Sequence, residues 1–422
     1  MTLSDVPPAS TAWLDDRRRA AAQRLGEPSL PTTDEEVWRY SRIDELQLTD
    51  WSAPSAPART DLPPAVAELL STIGERAATV VLCDGFVVHA EISPHWADRG
   101  VFAGRILDAP AGAEAALGAV AGEGVDVFGP LNDARTADPV LVHVPAGVVL
   151  DRPVVVVDWI EREGVAVHPR LVVHLGRDAE ATVLEWQGSA AVAALSLPLV
   201  ELELEAAARL HHGSVQMRSD AVWQIATQLS RVATDATLDS TQVALGADYG
   251  RTRTDCRLVG RGATGDLRAV YFGAGTQTLD FRTFQQHAAP DTTSNLMFKG
   301  VVDDHSRSVY TGLIKVEKDA RGTNAFQTNR NIKLSDHAWA ESVPNLEIET
   351  NDVRCSHAST VGPIDEDQRF YLESRGVRPE VADRLIVAGF FDEVLESFPV
   401  PEVVATVDAV IQQRLDRGAG PR

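Results

Sequence analysis

Only three cysteines occur in 422 residues, Cys83, Cys256 and Cys355, far apart and odd in number. That excludes a disulfide framework and any Cys-x-x-Cys pair, and it points to a reducing compartment. Lysine is almost as scarce, at Lys299, Lys315, Lys318 and Lys333, and none of the four follows a glycine. The chain therefore holds no Gly-Lys-Ser/Thr phosphate loop. It also lacks the Gly-x-Ser-x-Gly elbow and the His-Glu-x-x-His zinc motif. Long hydrophobic runs are missing: "SAAVAALSLPLV" stops at Glu201 after twelve residues, too short for a bilayer. The opening residues carry no apolar stretch of signal-peptide type. A net charge of −22 argues against nucleic acid and against an anionic membrane surface. These absences predict a soluble cytoplasmic protein with neither partner.

What is present falls into three zones. Residues 1–135 are mixed and partly helical. "STAWLDDRRRAAAQRLGEP" offers Ser10 as an N-cap and Gly26 as a stop, and "TDEEVWRYSRIDEL" opens with Thr33 and Glu36 at capping-box spacing. Four prolines in "WSAPSAPARTDLPP" read as a loop, and "ATVVLCDGFVVHAEI" as a strand that makes Cys83 inert core. In residues 136–361, Val- and Leu-rich runs such as "VLVHV", "PVVVVDW", "RLVVHL" and "LVELELE" alternate with glycine and polar residues. This is a β domain, compatible with a sandwich, a propeller or a solenoid. Small-residue corners before short strands ("RDAEATVLEW", "EAAARLHHGSV", "GATGDLRAVYF", "ARGTNAFQ") favour a loosely repeating solenoid. Coils of ~25 residues stacked ~4.8 Å apart would give a rod roughly 40 Å long. Residues 362–422 are helical, with Asp365 and Gln368 as a capping pair, Gly376 as a stop, and Pro379 and Pro401 opening further helices. Val381, Leu385, Phe391, Val394 and Phe398 recur near helical spacing. This zone reads either as a cap on the β domain or as a docking module, since "AGFFDEVLESF" cannot easily bury both phenylalanines on one stripe.

The motifs with chemical potential are few. "GRGATG" at 260–265 matches a dinucleotide fingerprint in letters, but a strand pattern follows it instead of a helix, so it reads as a turn. His211 and His212 are adjacent in a strand pattern and project from opposite faces, so they do not serve one ion. Cys256 reads as a small buried hydrophobe, with a metallated role as the alternative. The remaining pair is Cys355 and His357 in "NDVRCSHAST". At i and i+2 of a strand, a thiol and an imidazole share a face. They are either structural or part of an incomplete metal set, with Glu347 and Glu349 as further oxygen donors and either an open position or a site finished by another chain.

Four segments, "EEVWRY", "SVYTGLIKVEKDARGTNAFQTNRNIKLSD", "SVPNLEIETNDVRCSHASTVGPIDEDQRFYLESRGV" and "VAGFFDEV", together resemble the SufD family of iron–sulfur cluster assembly proteins. The likeness is strongest over about 294–398. It implies a mainly β fold, a right-handed parallel β-helix between helical terminal regions. It also implies a non-enzymatic subunit that pairs with the paralogue SufB and docks the ATPase SufC through the C-terminal helices. Phe390, Phe391, Val394 and Leu395 would make that contact. Whether the chain forms a homodimer when SufB is absent is left open. The family histidine falls on His357 and its accompanying cysteine on Cys355, near the SufB interface. The implied cofactor is transient, iron or a nascent cluster, with nothing tightly bound to the isolated chain. SufB is the close alternative. Thr328 and Asn329 stand where SufB carries a scaffold cysteine, and His357-Ala358-Ser359 replaces its His-Glu-Ala, so both differences favour SufD. Ala358 departs from the glycine of many SufD members. From another class, a β-helix enzyme acting on acidic polysaccharide is disfavoured by the acidic charge. A purely structural solenoid would assemble partners without touching metal.

Overall fold

The computed structural model describes residues 11–122 and 124–418. Two sheets, built almost entirely from parallel strands, face one another and are wound from a single solenoid of about eight turns. Successive long strands alternate between the sheets, so from Leu199–Leu204 onward each strand pairs with the strand two positions on. Register is regular: Glu180 lies beside Arg209, Thr237 beside Thr264, and Thr293 beside Asn324, offsets of 29, 27 and 31 residues. Coils are thus longer than the ~25 residues expected, because most carry two strands of about ten residues besides their corners. Parallel pairing begins at Ala78–Cys83, which lies beside Val154–Ile160, and runs on to Val353–Gly362.

One corner explains why the small-residue repeat works. Asp178, Ala207, Asp235, Gly262, Asp291 and Gly322 occupy one position in successive coils, all with φ between 56° and 75°. That left-handed conformation favours glycine and short polar side chains. Each donates its backbone N–H to the next coil: Asp178 to Ala206, Ala207 to Thr234, Asp235 to Arg261 and Gly262 to Pro290. The residue that follows is alanine or threonine and is buried in all six cases, from Ala179 to Thr323. "GRGATG" is one of these corners: a Cβ on Gly260 would lie 1.9 Å from the backbone nitrogen of Thr234.

Helices cover the two outer faces. Ala12–Leu25 and the short 3₁₀ turns after it pack on one sheet through Leu14, Trp38, Ile43 and Leu46. Thr11 is the N-cap residue of that first helix, and Ser10 lies outside the described residues. No α-helix forms over "TDEEVWRYSRIDEL", only the 3₁₀ turns Glu36–Trp38 and Ile43–Glu45. Thr33 Oγ1 donates to Asp44 Oδ2 at 2.6 Å instead of capping, and Trp38, Ile43 and Leu46 do not fall on one helical stripe. The C-terminal helices Pro379–Leu395 and Val404–Gly418 pack on the other sheet, on Val155, Leu184, Val215, Val243 and Phe272. The expected capping holds, with Asp365 accepting from the Gln368 N–H at 3.0 Å. The stripe is shifted, however, because Val387 is buried while Leu385 is exposed. Gly213 makes room for the Phe398 ring, which a Cβ there would approach to 2.8 Å.

Candidate functional site at the open end of the solenoid

The strands Trp339–Ile348 and Val353–Gly362 end their sheets and, among the described residues, pair on one side only. In earlier coils the next turn covers inward side chains. Here none of the described residues does: Leu346 and Ile348 are 36% and 41% exposed, whereas their register partners Ile314 and Val316 are fully buried. Val361 is 41% exposed on the other strand. The last coil is an unfinished core with two unpaired backbone edges, a template for another chain.

Alternation along Val353–Gly362 places the expected pair. Val353 and Cys355 pack on Ile314, Val316, Ala320 and Ala325, the interior of the stack. His357 is the next residue on that face, in register with Gln327. Cys355 is half-buried and His357 exposed, so both reach the open end. Burial pushes the Cys355 thiol up, an effect opposed by the Ala325 backbone hydrogen bond. Such a thiol keeps its proton until a metal or base removes it.

The floor beneath is polar. Tyr271 donates to Asn331 Oδ1 at 2.8 Å, Asn329 Nδ2 to Tyr271 Oη at 3.0 Å, and Asn331 Nδ2 to Asn329 Oδ1 at 2.8 Å. Gln327 is equally buried, yet neither atom of its amide has a hydrogen-bond partner. It lies in the coil directly beneath His357. Sequence reasoning weighed Asn329 only against a cysteine and passed over Gln327. The signal was the period-two polar series Gln327, Asn329, Asn331, which normally marks a solvent face.

Other candidate donors lie elsewhere. Glu347 and Glu349 engage Lys315 at 2.7 and 3.5 Å. Glu347 alternates with the inward Leu346 and Ile348, so it projects from the outer face. Cys256 is fully buried and burial pushes its thiol up to about 12; Cys83 behaves in the same way. His211 is outward beside Asp239 and His212 inward beside Ser240. Among the described residues no group of three His, Cys, Asp or Glu side chains is placed to hold a metal.

At the C-terminal helices, Phe391, Val394 and Leu395 are buried against the solenoid, and Phe390 is half-buried over the Lys299 ammonium. Phe370, Tyr371 and Leu385 are the large exposed side chains there, at 71%, 56% and 51%. Among the described residues no helix is long and apolar enough to cross a membrane.

The family described as "SUF system FeS cluster assembly, SufBD core domain" matches residues 159–390, and "SufBD protein N-terminal region" matches 4–156. An iron-sulfur cluster assembly SufBD family protein of Mycobacterium tuberculosis is 37% identical over 225 residues, 51% of this chain and 57% of that protein. The chain thus spans little more than half the length of the mycobacterial relative. The iron-sulfur cluster assembly protein SufD of Escherichia coli is 29% identical over 94% of this chain and 92% of its own length. SufD of Bacillus subtilis is 35% identical over 158 residues, 37% of this chain and 36% of that protein. With the core family matched over more than half its length and across this open-ended β-solenoid, the chain belongs to the SufBD family and within it is SufD-like.

Proposed function

We propose that this chain is a non-enzymatic subunit of an iron–sulfur cluster assembly complex, and that its open coil is where a SufB-type paralogue completes both the core and a cluster site. One observation carries the reading: Cys355 and His357 share a face of the last coil, whose two strands end their sheets among the described residues and leave Leu346, Ile348 and Val361 exposed. The paralogue's edge strands would pair with Trp339–Ile348 and Val353–Gly362 and cover Leu346, Ile348 and Val361. Its own donors would complete the ligand set. Neutral imidazole suits iron, and Cys355 would ligate once deprotonated. Iron or a nascent cluster is here a transient cargo. Without the paralogue, a second copy of this chain would meet the same edges as a homodimer.

Coupling to a SufC-type ATPase belongs to the C-terminal helices. Phe391, Val394 and Leu395 would act by fixing Pro379–Leu395 to the solenoid. Phe390 lines a groove shared with Tyr371 and Leu385, and these with Phe370 would touch the partner. Point variants test this better than truncation after Gly362, which would strip the cover from Val155, Leu184 and Val243. ATP binding would then shift the paralogue interface between closed and open arrangements.

The deciding experiment is His357→Ala in the reconstituted complex. One exposed ring should leave assembly with both partners intact, while iron and acid-labile sulfide recovered after anaerobic reconstitution fall several-fold. Cys355→Ser should match that loss if the thiol ligates, and be milder if it is only a neighbour. Normal cluster yield in the alanine variant would reject the site, and lost assembly would recast His357 as interface packing.

A further inference from the structure

A second constellation lies at the other end of the solenoid, on an outer face, and owes nothing to the cluster reading. His143 on Val140–Val144 and His174 on Arg170–Leu175 are register partners in adjacent parallel strands. Their rings stack within 10° of parallel, with centroids 5.1 Å apart, and their Nδ1 atoms are 2.9 Å apart. That contact forces a choice of tautomers. Glu205 Oε1 stands 3.4 Å from His174 Nε2, and its other oxygen accepts the Arg177 N–H at 3.0 Å, so the carboxylate is held in place. Neutral His174 therefore carries its proton on Nε2, and its Nδ1 is a lone pair. His143 must then donate through Nδ1–H.

The pair forms the floor of a chamber of about 460 Å³ walled by Phe102, Pro110, Ala113, Ala116 and Leu141. Glu203 borders the same chamber as the next residue in register beyond His174, and it pairs with Arg231 at 3.1 Å. Burial and the neighbouring His174 hold the His143 imidazole below its ordinary range.

We infer that His143 and His174 bind a divalent transition ion of the zinc or copper class through their two Nδ1 atoms, with the remaining positions taken by water in the chamber. Three observations converge. The two Nδ1 atoms, 2.9 Å apart with one proton between them, need only a few tenths of an ångström to span the ~3.3 Å edge of a tetrahedron with ~2.0 Å metal–nitrogen bonds once that proton has moved. The Glu205–His174 contact is the carboxylate–imidazole arrangement that orients metal-ligating histidines. The chamber leaves an open side for water ligands. Loading requires His143 to exchange its Nδ1 proton for one on Nε2, so the ring stays neutral and no net proton is released. Among the described residues no third His, Cys, Asp or Glu completes the set. The site is therefore an open two-histidine site and not a closed structural one.

The test is calorimetric titration with Zn²⁺ of the full, tag-free chain carrying Cys355→Ser, which removes the thiol proposed as a ligand at the opposite end. One equivalent is expected that His143→Gln and His174→Gln each abolish or weaken at least ~10-fold. Glu205→Gln, on a side chain half exposed to solvent, should keep the stoichiometry and weaken binding about 10-fold by releasing the His174 ring. His305→Gln at the separate His305–His337 stack should change nothing. No zinc uptake by this chain, or undiminished affinity in both histidine variants, would each overturn the inference.

Discussion

Glu185→Gln should stabilise the protein at pH 8 and leave its stability almost unchanged at pH 4. Glu185 lies inside the solenoid with its side chain 7% exposed. One oxygen accepts from Gln187 Nε2 at 2.7 Å. The other faces His212 Nε2 at 3.9 Å, and that ring is neutral because burial lowers it to about 4. Burial, the largest influence, pushes the Glu185 carboxyl up to about 7 from an ordinary 4.5. The sign follows from proton counting. Between those two values the folded chain keeps a proton that the unfolded chain has lost, so stability falls as pH rises. Above about 7 the loss is complete, at about 3 kcal/mol. Glutamine removes the titration, accepts the same Gln187 hydrogen bond and presents an N–H to His212. The acid-side loss caused by His212, which charges more readily when unfolded, is common to both proteins and cancels in the comparison. Urea unfolding at pH 4, 6 and 8 is the check. A difference that does not grow with pH, or a variant less stable at pH 8, would show that Glu185 is ionised and satisfied.

The second large effect is a loss. Arg218→Met should cost about 3–5 kcal/mol, the usual penalty for leaving half of a buried ion pair. Arg218 is fully buried and Asp158 nearly so, and the guanidinium bonds Asp158 Oδ2 and the Gly188 carbonyl. It also bonds the Asp158 carbonyl at 3.0 Å and Gln224 Oε1 at 3.2 Å. Methionine fills much of the volume but leaves the Asp158 carboxylate among strand residues with no counter-charge. Adding Asp158→Leu should recover most of the loss, since replacing both partners by apolar groups is often neutral. Burial already raises the Asp158 carboxyl above its usual range. In the single variant the deficit should therefore shrink toward acid pH, where that group protonates in both states. A pH-independent deficit, or no rescue in the double variant, would assign the loss to packing around Gln224 and Gly188 instead.

Both effects lie in a part of the protein the sequence pattern misrepresented. Gln187, Gln216, Gln224 and Gln242 alternate with apolar residues as solvent-facing positions do, yet they point inward between the sheets. A β-strand's period of two separates its faces without saying which is covered. In a solenoid with helices packed outside, the outer face can be the drier one. Leu184 and Trp186 show this, because they lie under the C-terminal helices while Glu185 and Gln187 line the interior. The candidate site divides in the same way. That Cys355 and His357 share a face was legible from their spacing. That the polar face of "QTNRN" forms a floor beneath them was not.

Local chemistry alone determined the short Val- and Leu-rich strands, the small-residue corners, the Asp365 cap and the Pro379 start, since each is set by neighbours within a few residues. The same residues excluded a phosphate loop and a disulfide framework. Tertiary structure decided coil length, the face that became core, and the failure of "TDEEVWRYSRIDEL" to form an α-helix. It also brought together groups far apart in the chain, such as His143 and His174, 31 residues apart. The reason is that coil-to-coil register depends on how corners of 27 to 31 residue spacing stack, and burial depends on whether another coil or helix lies above. Neither is a property of any local stretch. The last coil makes this plainest, because its residues become surface only for want of a next turn.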